Sequence, residues 1–546
     1  MKLPPGIGQQ AFAAAVKEFR AAVGEEWVFD SEEDVSLYRD AYTPFWQEEE
    51  ELVASAAVAP DTVEQVQEIV RIANRGRLPI YPISTGRNLG YGGSAPTLSG
   101  SVVLDLKRMN RVLEVDERNA SILVEPGVSY FDAYKHLQAA GSKLWLDVPD
   151  PGWGSLIGNA MDRGGGYTMP MYRNHFEAHC GMEVVLPNSE VMRTGMGAMP
   201  GCKSWQQYKT GFGPWVDGLF SQSNFGVCTK MGFWLMPQPE AYLSATVSVS
   251  KYNDLIPLID TLNFLENSAI TNGMPFLGAP LTNPGLMPGD EVRRPPAAEL
   301  MELLATPGGP SEAQLEKLAR DKGLGMWACR LQYYGPPEVI RAQWEYSRKK
   351  FAAIPGATFS EPELLEMPLT PEQIAKVHKV VFGVPNLDIF FIGARSESVP
   401  QPTDGHIWFS PIIPRTGEEV LRAQRVINQA AVELGLPGVP FPAVGTYWIR
   451  SFMFLYGFPI IKDVAANKKN RESFRKLITI AAENGWGEYR TAPAYQGDIM
   501  ATYSFNNHAL LRFHEMLKDA VDPNGIISPG RYGIWPKHLR EGRRKP

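Results

Sequence analysis

The chain has 546 residues, 44% of them hydrophobic, and a formal net charge of −7. A single hydrophobic core does not grow to this length, so at least two globular domains are expected. The acidic balance argues against nucleic acid as a partner. The lack of a long apolar run and of a secretory signal argues against a membrane span or export, so the cytoplasm is the expected location.

The first 240 residues predict helices mixed with several short strands. Helical apolar spacing covers residues 11–22 and 62–74, the second behind the capping sequence Asp61-Thr62-Val63-Glu64. Several predicted strands follow one another without a helix between them, which favours an α+β fold over a doubly wound sheet. These strands cover residues 52–58, 78–83, 101–106, 121–124, 182–186 and 225–235. No G-x-G-x-x-G motif of the nicotinamide type opens a helix.

The second half predicts another mixed region. Its predicted helices cover residues 313–321, 339–353, 371–381 and 418–433, and its β-like runs cover residues 327–334 and 405–412. The tail from about residue 485 is rich in glycine, asparagine and proline, which favours a return to the first region. The whole pattern predicts an α+β protein with two domains.

Residues 84–93 read S-T-G-R-N-L-G-Y-G-G, directly after the predicted strand 78–83. Glycines at this density permit positive φ and let backbone N–H groups turn toward an anion, as in loops that bind a diphosphate. Tyr91 stands among them where backbone alone would serve a phosphate, so we expect it to face a second ligand. The alternative is an ordinary glycine-rich turn after a strand.

The histidines and cysteines do not predict a metal site. The cysteines lie far apart and lack C-x-x-C spacing, which also argues against a disulfide framework. His175 and His179 have the spacing of two ligands on one helix face, but Gly181 and a strand-like run follow at once. We therefore expect no metal.

Eight motifs are spread in order over almost the whole chain. They are STGRNLGYGG (84–93), VEPGVSY (124–130), WLDVPD (145–150), GNAMDRGGGYT (158–168), LFSQSNFGVCTK (219–230), GHIWFSP (405–411), NGWGEYRT (484–491) and VDPNGIISPG (521–530). Together they resemble the vanillyl-alcohol oxidase and 4-cresol methylhydroxylase family of flavoenzymes. The resemblance implies an α+β, two-domain flavoprotein. Its FAD-binding domain would be residues 1–240, completed by 486–546, and its α+β substrate cap would be residues 241–485.

The resemblance also implies which residues bind FAD. His406 matches the histidine-linked branch of the family, in which the imidazole is joined to the flavin 8α carbon; the alternative is a hydrogen-bonded histidine at a strand start. Where one fungal member has a histidine that assists this attachment, the chain has Phe45 and Trp46. The expected cofactor-binding residues are Ser84, Thr85, Gly86, Arg87, Asn88, Leu89, Gly90, Gly92, Pro126, Gly127, Ser155, Gly158, Asn159, Gly226, Val227 and His406.

By the same resemblance, Tyr91, Tyr489 and Arg490 would bind a substrate phenolate, and Asp150 would lie beside the flavin. Loss of hydride from a benzylic carbon leaves a cation, and a para-phenolate relieves it by becoming a neutral quinone methide. A guanidinium and two hydroxyls stabilise that phenolate. Asp147 is the alternative to Asp150, and an Asx turn before proline is the ordinary interpretation of either. The expected substrate-binding residues are Tyr167, Trp408 and Phe452.

These residues predict an FAD-dependent oxidase of para-substituted phenols, such as vanillyl alcohol, eugenol and other 4-alkyl or 4-allyl phenols. Hydride would pass from the benzylic carbon to flavin N5, and dioxygen would be reduced to hydrogen peroxide. Two alternatives remain: a dehydrogenase that passes electrons to a cytochrome c, and a noncatalytic flavin-binding subunit. The resemblance also bears on assembly: between Gly201 and Phe220 the chain lacks the long insertion with which the fungal member assembles beyond dimers, which implies a homodimer.

Overall fold

The structure is a computed structural model that describes residues 2–88, 90–282, 298–306, 308–388, 405–436, 443–445, 448–461 and 463–541. Residues 443–445 and Pro459 are described by their backbone alone. Within these ranges, no helix combines the length and the apolar character needed to cross a bilayer.

The strands of the described residues form four sheets. In chain order they are β1 (Val28–Phe29), β2 (Ala56–Val58), β3 (Ile80–Ile83), β4 (Val102–Asp105), β5 (Val112–Asp116), β6 (Ser121–Val124), β7 (Leu144–Trp145), β8 (His179–Val185), β9 (Val191–Arg193), β10 (Val227–Trp234), β11 (Met236–Pro237), β12 (Ala241–Val249), β13 (Phe276–Gly278), β14 (Trp327–Gly335), β15 (Thr358–Phe359), β16 (Glu363–Glu366), β17 (Gly405–Phe409), β18 (Ile412–Pro414), β19 (Ala443–Gly445) and β20 (Ser451–Ile460).

The helices lie mainly around these sheets. In chain order they are α1 (Gln9–Val23), α2 (Glu32–Ser36), α3 (Val63–Gly76), α4 (Tyr130–Ala139), α5 (Leu156–Met161), α6 (Pro170–Arg173), α7 (Leu255–Asn267), α8 (Ala298–Leu304), α9 (Glu312–Asp321), α10 (Pro337–Phe351), α11 (Pro371–Ile374), α12 (Gly417–Glu433), α13 (Val464–Glu483), α14 (Gln496–Thr502) and α15 (Phe505–Val521).

A local signal predicted the start of α3 correctly, whereas two other predicted elements differ in extent. The Thr62 hydroxyl accepts a hydrogen bond from the Gln65 N–H at 3.2 Å, so α3 begins where the capping sequence placed it. The predicted helix 371–381 is wrong in extent, because α11 ends at Ile374 and His378 has an extended ψ of 93°. The predicted strand 405–412 is two strands, β17 and β18.

Two sheets and the chain's tail form the first region. One sheet has the order β1-β2-β4-β3, with β2, β4 and β3 parallel, and the other is an antiparallel sheet with the order β5-β6-β10-β8-β9. The tail returns to β3 as expected, since the Ile80 N–H donates to the Ile526 carbonyl at 2.8 Å and the Ser528 N–H donates to the Ile80 carbonyl at 2.8 Å.

A sheet built from residues 241–460 dominates the second region. Its main order is β15-β12-β14-β13-β19-β20-β17, with β16 beside β12 and β18 beside β20. One face packs against α7, α10, α12 and α13 in a core that includes Ile407 and Phe409. Side chains alternate along a strand, so His406 and Trp408 of β17 lie on the opposite face. This mixture of sheets and helices confirms the predicted α+β class.

Candidate active site

Arg490 packs between two phenol rings. Its guanidinium carbon lies 3.8 Å from the centre of the Tyr91 ring and 5.2 Å from the centre of the Tyr489 ring. Tyr91 comes from the glycine-rich loop after β3, and the other two come from the segment between α13 and α14. The fold therefore brings the three predicted phenolate-binding residues into one cluster.

Hydrogen bonds on either side hold the backbone of the Tyr489-Arg490 dipeptide. The buried Glu488 carboxylate accepts the Ser410 N–H at 2.8 and 3.1 Å, and the Glu488 carbonyl accepts the Tyr503 hydroxyl at 3.0 Å. The Gln222 side-chain amide donates to the Tyr489 carbonyl at 2.9 Å. Burial raises the pKa of Glu488 well above its usual range. The dipeptide is thus fixed by neighbours from three separate segments.

Asp162 links Arg490 to a second guanidinium. Its carbonyl accepts from Arg490 Nη1 at 3.3 Å, and its carboxylate accepts from Arg531 Nη2 at 2.7 Å and from the Tyr532 hydroxyl at 2.9 Å. Burial lowers the pKa of Arg490, but the neighbouring phenols and Asp162 outweigh burial and raise it above its ordinary value. Of the two guanidiniums, only that of Arg531 bonds the Asp162 carboxylate, so Arg490, Arg531 and Asp162 together carry one positive charge in excess. Arg490 Nε has no partner among the described residues.

Asp150 is bound by a tyrosine that also contacts the second region. The Tyr167 hydroxyl donates to Asp150 Oδ2. The Tyr167 ring stacks on Phe276 with 5.8 Å between ring centres, and it meets His378 edge-on at 5.8 Å. Sequence reasoning missed Phe276 and His378, because nothing in their local sequence separates them from ordinary core residues.

Asp147, the alternative to Asp150, belongs to a buried network. Its Oδ2 accepts the Thr168 N–H at 2.7 Å and also the Thr168 hydroxyl, and its Oδ1 accepts from His175 Nε2 at 2.7 Å. His175 Nδ1 in turn contacts the Asn159 amide at 2.6 Å and the Tyr130 hydroxyl at 3.1 Å. Both oxygens of Asp147 and the Asn159 side chain are therefore engaged within the protein. His179 is equally engaged, with Asp217 at 2.9 Å.

His406 is buried without a hydrogen-bond partner. The residue is 1% exposed, and neither ring nitrogen has a partner in the part of the chain that the structure describes. Burial lowers the pKa of His406 to about 4, so the imidazole is neutral at neutral pH. Its ring lies 4.4 Å from the Trp408 ring and 5.4 Å from the Tyr42 ring. A buried, neutral imidazole of this kind is a nucleophile that lacks a protein partner.

Tyr42 is a neighbour of His406 that sequence reasoning missed. The segment around residues 43–47 was expected near His406, with Phe45 and Trp46 as its notable side chains. Those two rings instead lie under Arg471 and Arg39, at 4.6 and 5.4 Å from the guanidinium carbons. A Cβ on Gly405 would lie 2.5 Å from Tyr42 Cδ1, so the tyrosine packs directly against the start of β17.

The glycine-rich loop has the geometry of an anion-binding loop. Gly86, Gly90 and Gly92 have positive φ, and a Cβ on Gly90 would lie 2.7 Å from the His406 carbonyl oxygen. The Asn88 side chain accepts the Tyr91 N–H at 3.2 Å. Among the described residues, the N–H groups of residues 85–88 donate to no backbone carbonyl outside helices and strands, and no side-chain acceptor is found for them. Leu89, also expected at the cofactor, lies outside the described residues.

The other expected cofactor residues surround this loop or pack in the core nearby. A Cβ on Gly158 would lie 2.3 Å from Ser84 Oγ, and the Ser155 hydroxyl caps α5 and donates to the Pro126 carbonyl at 2.6 Å. Further close approaches are Gly127 to the Lys107 carbonyl, Gly226 to Val184, Thr85 to the Trp153 carbonyl and Arg87 to the Trp153 ring. Val227 is buried at the start of β10.

The two aromatic residues expected at the substrate have different surroundings. Trp408 lies beside His406 on the same face of β17, and it is partly exposed. Phe452 is 0% exposed in the core of the second region, with the Arg415 guanidinium carbon 4.8 Å from its ring centre. Its role at the substrate stays a prediction.

The fold and these residues define an FAD-dependent oxidoreductase. Residues 54–195 match a family model described as an FAD binding domain. The 4-cresol dehydrogenase (hydroxylating) flavoprotein subunit of Pseudomonas putida is 32% identical to this chain over 97% of each. The chain belongs to the vanillyl-alcohol oxidase and 4-cresol methylhydroxylase family, as the eight motifs predicted.

Two solved structures share the whole fold. The 4-ethylphenol oxidase from Gulosibacter chungangensis, solved as an isoeugenol complex, is 35% identical, with a TM-score of 0.84, and the match covers 99% of this chain and 100% of that one. A p-cresol methylhydroxylase solved with substrate bound is 31% identical, with a TM-score of 0.82 and coverage of 98% and 99%. They confirm the predicted flavoprotein fold, and the noncatalytic alternative finds no support among these relatives.

Proposed function

We propose that this protein oxidises para-substituted phenols at the benzylic carbon. The observation that carries the proposal is the Arg490 guanidinium between Tyr91 and Tyr489, in a cluster with one positive charge in excess. That arrangement suits a singly charged aromatic anion, which a phenolate is. The relatives named for 4-cresol and 4-ethylphenol act on phenols of this class.

The phenolate is what makes the benzylic hydride transferable. A free phenol has a pKa of about 10, and each unit by which the site lowers it corresponds to about 1.36 kcal/mol of preference for the anion. Arg490 supplies a permanent charge, and the hydroxyls of Tyr91 and Tyr489 supply donors. The ionised ring then pushes electrons toward the para carbon, and the substrate leaves the step as a neutral quinone methide.

The residues around the glycine-rich loop fit FAD. The unpartnered N–H groups of residues 85–88 would bind its diphosphate, and the neutral His406, packed against Gly90, would be joined to its 8α carbon. When bound, FAD supplies a two-electron acceptor for the hydride. This assignment places His406 at the cofactor. Tyr91, which belongs to the glycine-rich loop, then remains for the substrate.

We assign Asp150 to the benzylic end of the substrate. Tyr167 binds its carboxylate, whereas both oxygens of Asp147 are engaged by Thr168 and His175. An acid at this end can accept a proton from water that adds to the quinone methide, or offset positive charge as it develops. Trp408 and Phe452 remain our candidates for the wall of the substrate site.

We also propose the expected domain organisation and a homodimer. Residues 1–240 with 486–546 would form the FAD-binding domain, because the tail pairs with β3, and residues 241–485 would form the cap, because its strands share one sheet. Light scattering on the purified protein measures the assembly, and a monomer mass would contradict the dimer.

For the electron acceptor, we propose dioxygen, with hydrogen peroxide as the product. The relative named as a 4-ethylphenol oxidase supports this choice, whereas the relative named as a 4-cresol dehydrogenase supports transfer to a cytochrome c. To distinguish these two acceptors, the protein is reduced by a phenol in the absence of air and then mixed with aerated buffer. Fast reoxidation supports the oxidase, and slow reoxidation that cytochrome c accelerates supports the dehydrogenase.

The test of the phenolate uses a substrate pair and a variant pair. We expect oxidation of 4-ethylphenol and none of its methyl ether, which cannot ionise. Arg490→Lys loses the planar guanidinium, so we expect kcat/KM to fall by at least about 100-fold. Arg512→Lys, an exposed change on α15, is the matched control and keeps the parent rate. Equal turnover of the methyl ether would overturn the proposal.

A further inference from the structure

The tail of the chain brings a second guanidinium, that of Arg531, to the cluster around Arg490. Arg531 directly follows the last of the eight motifs, and it has no role in the function proposed above. Its Nη2 donates to the Asp162 carboxylate at 2.7 Å. Its guanidinium carbon lies 5.6 Å from the centre of the Tyr81 ring and 5.2 Å from the centre of the Tyr532 ring. A residue about 40 positions after Arg490 in the chain is therefore its neighbour in space.

The turn that carries Arg531 is held at both ends. The Asn224 side-chain amide donates to the Ser528 carbonyl at 3.1 Å and to the Ile534 carbonyl at 2.9 Å. The Gly530 N–H also donates to the Ile534 carbonyl, at 3.0 Å, and Gly530 has a φ of 84°, which glycine adopts readily. The positive charge of Arg531 is thus placed by the fold before any substrate arrives.

Asp162 stands between the two guanidiniums. Its carboxylate accepts from Arg531 and from the Tyr532 hydroxyl, whereas only its backbone carbonyl accepts from Arg490. Burial and Asp162 raise the pKa of Tyr532 well above its ordinary value, so this phenol is neutral. Burial likewise raises the pKa of Glu488, which favours its uncharged form. The charge of the cluster therefore depends on the two arginines and on Asp162.

Arg531 decides whether this cluster can compensate the charge of a bound phenolate. With Arg531 present, the two arginines and Asp162 carry one positive charge, and a phenolate brings one negative charge, so the complex is neutral. Without Arg531, the charges of Arg490 and Asp162 cancel, and the phenolate would add an uncompensated negative charge. Such a charge is costly in a site that is largely removed from water.

We propose that Arg531 is a positioning residue that sets the charge of the substrate site, because it neutralises Asp162 and leaves the charge of Arg490 available to the phenolate. The inference rests on the proposed function, since it requires a phenolate beside Arg490. It predicts that net charge, rather than the Arg531–Asp162 pair itself, controls ionisation of the bound phenol. Arg531→Gln leaves the cluster without net charge, and the double variant Arg531→Gln/Asp162→Asn restores the single positive charge of the parent.

The test uses 4-fluorophenol and the flavin-loaded protein at neutral pH. This phenol has no benzylic hydrogen and is not turned over, and its fluorine NMR resonance differs between the phenol and the phenolate. We expect the parent to bind the phenolate. Arg531→Gln should weaken binding by at least about tenfold and move the resonance toward the neutral phenol. The double variant should recover the phenolate resonance and an affinity within about threefold of the parent. A double variant as impaired as Arg531→Gln would overturn the proposal.

Two further variants complete the test. Arg531→Lys keeps the charge and should keep the phenolate resonance. Arg20→Gln is the matched control, because it breaks a pair with Asp30 at 2.9 Å that is about as exposed as the Arg531–Asp162 pair; it should bind 4-fluorophenol as the parent does.

The outcomes separate the inference from the proposed function. If Arg531→Gln does not fold, Asp162→Asn alone should bind 4-fluorophenol at least about threefold more tightly than the parent, and equal or weaker binding would overturn the inference. If the parent binds 4-fluorophenol only as the neutral phenol, the proposed function fails. If Arg531→Gln binds the phenolate with the affinity of the parent, the role of Arg531 is wrong and the proposed function stands.

Discussion

The carbonyl oxygen of His406 lies 2.7 Å from the point where a Cβ on Gly90 would stand. No side chain fits at position 90, so the glycine-rich loop meets β17 backbone to backbone at the histidine. The same contact places the imidazole beside the loop whose N–H groups at residues 85–88, like the imidazole itself, have no partner among the described residues. This relationship ties the expected diphosphate site and the expected attachment site into one location.

His406→Ala should abolish covalent attachment of the flavin while the protein still binds FAD through the loop. The physical reason is the loss of the nucleophilic imidazole, with the diphosphate donors of residues 85–88 left in place. The measurement is the yellow colour that stays with the polypeptide after acid precipitation. His538→Ala, an exposed histidine, is the control and should keep its flavin. Flavin bound covalently to His406→Ala would contradict the assignment.

The pH dependence of attachment should follow the depressed pKa of His406. Burial lowers that pKa to about 4, so the folded protein keeps the imidazole neutral and nucleophilic down to about pH 5. The yield of covalent flavin from apoprotein and FAD should be level from pH 8 to 5 and fall near pH 4. A fall centred near 6.5 would show instead that His406 titrates as an exposed histidine does.

The lowered pKa of His406 also makes the stability of the apoprotein depend on pH. An unfolded histidine takes up a proton near pH 6.5, whereas folded His406 does so only near pH 4. Stability should therefore decline as pH falls from 6.5 to 4, by up to about 3 kcal/mol from this residue, and then level off. Denaturant unfolding of the apoprotein and of His406→Gln measures the difference, and identical pH profiles would rule this contribution out.

Asp147→Asn should lower stability, whereas Asp150→Asn should lower the reaction rate. Asp147 accepts hydrogen bonds in a buried network, so its replacement by Asn should lower the free energy of unfolding by about 1–3 kcal/mol. Asp150→Asn should leave the unfolding midpoint nearly unchanged and lower kcat for a para-phenol by about 100-fold, since the proton acceptor is lost. Thermal unfolding and steady-state rates of both variants test this prediction. A larger rate loss in Asp147→Asn than in Asp150→Asn would contradict it and assign the catalytic role to Asp147.

Glu266→Gln should destabilise the protein strongly. The Glu266 carboxylate binds Arg173 at 2.7 Å and also binds Arg415, and all three residues are buried. Removal of its charge takes this carboxylate away from two buried guanidiniums, at a cost of about 3–5 kcal/mol. Denaturant unfolding measures the loss. Glu345→Gln breaks an exposed pair with Arg348 and should change stability by less than about 0.5 kcal/mol; a similar effect in both would contradict this prediction.

The sequence predicted those residues of the site that local chemistry or the family resemblance could identify. The loop 84–93 was recognisable because its glycine spacing is itself the requirement for positive φ. Tyr489 and Arg490 were assigned through the motif that contains them, and the structure brings them to Tyr91. Asp162 was missed, although it lies inside the motif 158–168, where an acid among glycines was a usable signal.

By itself, the sequence determined the secondary structure where the signal is short in range, such as the Thr62 cap of α3, and it determined the family. Only the tertiary structure decided that His406 is neutral, that Asp147 is engaged by Thr168 and His175, and that Asp150 meets Tyr167. The physical reason is that pKa values and hydrogen-bond partners depend on distance in space and on burial. Both are set by residues far apart in the chain, which no local pattern encodes.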